Sequence, residues 1–113
     1  MKRGFLLAVF CLIALEANAA GPTINDMIAA SSAPEMKSLI GAQLRAFGAA
    51  NDYSDVVNKR AFYCMPPKLA LTAEQANDIF ARYIALHPDF AQRPGDDMAI
   101  LLLMSLVDAF PCQ

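Results

Sequence analysis

Residues 98–110 constrain the fold more than any other part of the chain. Among these thirteen residues only Ser105 and Asp108 are strongly polar, and Pro111 stops the run. The pattern predicts a helix that is apolar almost all round, which has to be covered on most sides. It is too short to cross a bilayer, which takes ~20 apolar residues. With 113 residues the chain has room for one domain. Few elements are then available as cover, and a second copy of the chain is another source. A homodimer is therefore expected.

The N-terminus accounts for part of the high apolar content. Lys2 and Arg3 precede an apolar run over residues 4–15, and Ala17, Asn18 and Ala19 follow with small residues where a signal peptidase cuts. Residues 1–19 are read as a cleaved secretory signal, with no stable membrane insertion. Cys11 lies inside the apolar run rather than at its end, so lipidation is not expected. Removing 19 of 113 residues leaves 94, with seven Lys/Arg and ten Asp/Glu, and reduces three cysteines to Cys64 and Cys112. In an exported small domain two thiols form a disulfide. The bridge would close a loop of 49 residues and contribute about 4 kcal/mol in the chain-entropy description. The weak acidic balance lacks the Lys/Arg excess of a nucleic-acid binder.

Helical periodicity dominates residues 20–113, and only short stretches such as Ala61-Phe62-Tyr63 suit an extended path. Thr23 to Ile28 suggests a short helical turn. Ser32, Pro34 and Glu35 suggest a capped start for a long helix. Met36, Leu39, Ile40, Leu44 and Phe47 form its apolar stripe, which continues through Ala49, Ala50, Tyr53, Val56 and Val57. Gly41, Ala42, Gly48 and Ala49 lack bulk and would let another helix approach. Asn58-Lys59-Arg60 ends the element, and Pro66-Pro67 forbids helix beyond it. Thr72 and Gln75 make a capping box for a further helix. Ala76, Ile79, Phe80, Tyr83 and Ile84 form its buried stripe, and Asp78/Arg82 its surface ion pair. His87-Pro88 stops this helix, with His87 as a partner for its C-terminal dipole. A loop over residues 89–97 leads to the last helix, whose start Asp96 and Asp97 complement. The expected fold is all-α: a small disulfide-stapled helical bundle, with residues 20–113 as a single domain.

Catalytic chemistry finds no foothold in this pattern. Pairing Cys64 with His87 as nucleophile and base fails because the disulfide removes the thiolate. Asp89, Asp96 and Asp97 lack the ordered oxygen-ligand spacing of a calcium loop. No haem, P-loop or dinucleotide motif occurs, so no metal and no cofactor is expected. The three tyrosines read as core-edge residues.

A second layer of meaning comes from a set of short motifs. They are Phe62-Tyr63-Cys64-Met65-Pro66, Leu71-Thr72-Ala73-Glu74-Gln75, Tyr83-Ile84 with His87-Pro88, and Leu106-Val107-Asp108-Ala109-Phe110-Pro111-Cys112. In order and spacing this resembles the Rap/Tai family of type VI secretion amidase-immunity proteins, over roughly residues 44–112. Phe47-Gly48-Ala49-Ala50-Asn51-Asp52 looks like that family's glycine-containing long helix. The resemblance implies a helical periplasmic homodimer that binds a papain-like peptidoglycan amidase effector and occludes its cleft, without catalysis. Cys64 and Cys112 match the family disulfide, and Pro66, Thr72, Gln75, Pro88 and Pro111 match framework positions. Pro67 and the short tail after Cys112 depart from it. His87, Asp89, Arg93, Asp96 and Asp97 are the candidate partner-binding residues, because an acidic segment suits a cationic cleft. The alternative is a periplasmic HdeA-like stress chaperone, whose carboxylates would be protonated in acid.

Overall fold

The computed structural model describes residues 21–113. The expected signal over residues 1–19, Cys11 included, lies outside the described residues. Four α-helices follow in order: α1 (Ile24–Ala29), α2 (Pro34–Asn58), α3 (Ala73–Leu86) and α4 (Met98–Ala109), with 3-10 turns at Pro88–Phe90 and Gly95–Asp97 between the last two. No strand occurs among the described residues; residues 61–63 form none, with a bend at Phe62. The fold is all-α and carries the Cys64–Cys112 disulfide.

The helix starts follow their capping chemistry, with one correction. Thr72 Oγ1 accepts from the Gln75 amide at 3.2 Å, and Gln75 Oε1 accepts from the Thr72 amide at 3.0 Å, completing the expected box. The same reciprocal box forms at Thr23 and Asp26, which explains how a helix as short as α1 holds together. Ser32 does not cap α2. Pro34 takes the first helical position, so Ala33 is the cap residue, with no side-chain hydrogen bond. Pro34 itself lacks an amide that would need a partner. Lys59 ends α2 in the left-handed region at φ 57°, the conformation that usually closes a helix.

All four helices contribute to one core of Ile24, Ile40, Ala76, Phe80, Tyr83, Ile84, Met98, Leu101 and Leu102. α3 packs against both α2 and α4. Ala76, Phe80, Tyr83 and Ile84 are buried as the periodicity predicts, with Ile79 half-buried at the edge. Each large side chain buried here contributes roughly 2–3 kcal/mol of transfer free energy.

Three expectations about packing need correction. The stripe of α2 does not continue into the core: Tyr53 and Val56 are each 66% exposed and Val57 is exposed as well. The inward positions in that half are instead Phe47, Asn51 and Ser54. Tyr53 is thus a surface residue, whereas Tyr63 and Tyr83 are buried. Among the described residues no other helix approaches the glycines of α2: a Cβ at Gly48 would meet nothing within 4 Å. Finally, α4 buries Met98, Leu101, Leu102, Ser105 and Leu106 but leaves Ile100, Met104 and Val107 exposed. Among the described residues α3 is the helix most closely packed against α4, which leaves part of so apolar a helix uncovered.

Candidate functional site

The segment between α3 and α4 is shaped by its ends. His87 caps α3: its Nδ1 donates to the Tyr83 carbonyl at 2.8 Å, satisfying one of the orphan acceptors of the last turn. Its ring lies 4.3 Å from Tyr83 and 5.7 Å from Phe90, centroid to centroid. The dipole-partner role expected for His87 is therefore matched by its geometry, and the same ring anchors the Pro88–Phe90 turn.

The far end of this segment is pinned by α1. The Ile24 amide donates to the Arg93 carbonyl and the Asn25 amide to the Ala91 carbonyl, each at 2.9 Å, while the Gly95 amide donates to the Pro22 carbonyl at 2.8 Å. The free amides at the start of α1 thus find acceptors in the loop. Gly95 is needed for this approach, since a Cβ there would lie 3.0 Å from the Pro22 carbonyl oxygen and 2.5 Å from Met27 Sδ. Residues 89–97 form a docked, twice-turned segment rather than a free loop.

Arg93 and Asp97 are brought together, with Nε and Oδ2 2.7 Å apart. Asp97 occupies the cap position of α4, so its carboxylate lies at the helix start as expected; it makes no side-chain cap hydrogen bond and pairs with Arg93 instead. Asp89 and Asp96 remain exposed. Asp78 and Arg82 do not form the expected ion pair; among the described residues the second pair is Lys37–Glu74 at 3.3 Å. The Glu74 carboxyl is held below the usual range, first by its backbone hydrogen bond at the helix start and then by Lys37.

Cys64 and Cys112 are joined, with Cα atoms 5.0 Å apart, as expected. The Cys64 amide also donates to the Phe110 carbonyl at 2.8 Å. Two residues that the periodicity passes over hold the strand of chain leading to Cys64. Asn51 Oδ1 accepts from the Phe62 and Tyr63 amides at 2.7 and 3.1 Å, and Asn51 Nδ2 donates to the Tyr63 carbonyl at 3.0 Å. Ser54 Oγ donates to the Arg60 carbonyl at 2.6 Å. A mid-helix Asn and Ser on the inward side are the sequence signal for such a clamp, since both residue types bond readily to nearby backbone.

Beside the staple lies an open groove of about 960 Å³, lined among others by Lys59, Arg60, Phe62, Leu103, Val107 and Cys112. Its lining combines the apolar Phe62, Leu103 and Val107 with the charged Asp55, Lys59 and Arg60. Among the described residues no three His, Cys, Asp or Glu side chains come together as a metal site. No helix among them is long and apolar enough to cross a membrane. A disulfide of this kind is compatible with an oxidising compartment.

Comparison with family models, with curated proteins and with solved structures finds no match to this chain.

Proposed function

We propose that the chain is a periplasmic, non-catalytic immunity protein that binds a peptidoglycan amidase effector of a type VI secretion system and covers its cleft. The reading rests first on the motif resemblance. The observation that supports it is the α3–α4 segment. It offers Asp89 and Asp96 to solvent while His87 anchors one end and three backbone hydrogen bonds pin the other. A segment ordered before binding loses little conformational entropy on association. Exposed carboxylates favour fast encounter with a cationic cleft. The experiment is periplasmic co-expression with the product of any amidase gene found beside that of this chain. Protection from lysis and co-purification are expected; unprotected lysis with no complex overturns the reading.

One observation favours a second reading, that of an acid-activated chaperone. The exposed Ile100, Met104 and Val107 on α4 form an apolar surface of the kind that binds unfolded clients. Suppression of aggregation of unrelated proteins at pH 2–3 would support it; the immunity reading expects no such suppression. Either reading accommodates a homodimer, which would cover part of the apolar surface.

A further inference from the structure

The exposed side of α2 carries a heptad. Leu39, Ala42, Ala46, Ala49, Tyr53 and Val56 recur at alternating steps of three and four residues, and every one of them is exposed. That is the spacing of a coiled-coil seam. It lies apart from the core side of the helix, which is defined by Ile40, Phe47 and Ser54. A polar side with Lys37, Arg45, Asp52 and Asp55 completes the circumference. Val57, also exposed at 55%, borders the seam. An apolar stripe of this length on a helix that already has a buried side is unpartnered among the described residues.

We propose that this seam pairs with the same seam of a second copy, with the two α2 helices antiparallel. The inference rests on the homodimer reading and gives it a surface. The stripe is palindromic in register. When Ala46 faces Ala49 of the second copy, Ala42 faces Tyr53 and Leu39 faces Val56, and the twofold axis repeats each match. The largest side chain thus meets a small one, and alanines at the centre let the axes approach to the short end of the usual 8–10 Å. Charge agrees with the same direction. In an antiparallel pair the positions just before each first seam residue meet one another across the interface. Arg45 of one copy then meets Asp52 of the other, twice by symmetry. Parallel pairing places Tyr53 against Tyr53 and sets Arg45 beside Ala50, with no opposite charge. The complementarity is what commits the seam to a second copy in one orientation.

The test is sedimentation of the chain, with its disulfide intact, at tens of micromolar. A dimer is expected. Ala46→Glu should convert it to monomer with unchanged helix content, because the position is exposed in one chain. Arg45→Asp and Asp52→Arg should each weaken the dimer about tenfold or more by setting like charges together, and combining them should restore it. A monomeric wild-type chain overturns both the seam and the homodimer reading. A dimer that withstands Ala46→Glu and is lost on Val107→Asp overturns the seam alone and moves the interface to α4. Failure of the double exchange to restore pairing overturns the antiparallel orientation.

Discussion

The two ends of the α3–α4 unit are fastened by different means. At one end, residues 60–64 are held to the end of α4 by a covalent bond and by the Cys64–Phe110 backbone hydrogen bond, and to α2 by the side chains of Asn51 and Ser54. At the other, the segment before α4 is held to the start of α1 by backbone hydrogen bonds and by packing around the buried Ile24, with Gly95 leaving room for the contact. The difference separates scaffold from surface. The covalent end fixes the helices against one another. The hydrogen-bonded end shapes an exposed acidic segment on the rim of the core.

Reducing the disulfide puts the largest strain on this contrast. It should lower the unfolding free energy by about 4 kcal/mol, measured by urea denaturation with and without reductant. Hydrogen exchange should rise most at Cys64 and least at Ile24 and Gly95; equal rises would mean the two ends are not independent. Asn51→Ala comes next. It removes the acceptor of two amides and the donor to one carbonyl and should cost about 2–3 kcal/mol. Asn51→Asp retains the acceptor and should cost less.

Gly95→Ala acts on the other end. Met27 can swing its sulfur aside, but the Pro22 carbonyl is backbone, so about 1–2 kcal/mol is expected, with faster exchange at Ile24 and Asn25 and little change at Cys64. The smallest effect is on pH dependence. Burial, aided by the charge of Asp52, raises the Tyr63 phenol above its usual value. The neutral form is thus favoured in the fold. This contribution is complete below the ordinary tyrosine range and is lost as pH rises through the raised value. Thermal melts between neutral pH and pH 11 should therefore fall more steeply for the wild-type chain than for Tyr63→Phe.

The stapled end was legible because its signals are chemical and specific: a single cysteine pair, a proline stop and a Thr/Gln capping box. The buried stripe of α3 was legible for a similar reason, since one side of a 3.6-residue period is apolar. The second half of α2 misled because apolar residues there serve no core. A helix with two apolar sides separated by about a third of a turn reads, in one dimension, as one broad stripe. The docking of α1 on residues 91–95 was out of reach, because backbone groups make most of it and those are common to every sequence. Asp97 was placed correctly at the start of the last helix, but its pairing with Arg93 four residues earlier was passed over, although that spacing is itself a helical pairing distance.

Association kinetics with the product of any peptidoglycan amidase gene found beside that of this chain test the proposed immunity role most directly. The acidic segment should speed encounter, so Asp89→Asn combined with Asp96→Asn should slow association about tenfold at low salt and leave the fold intact. The difference should shrink as salt is raised. An unchanged rate in the double variant, or no binding by the wild-type chain, would contradict the account.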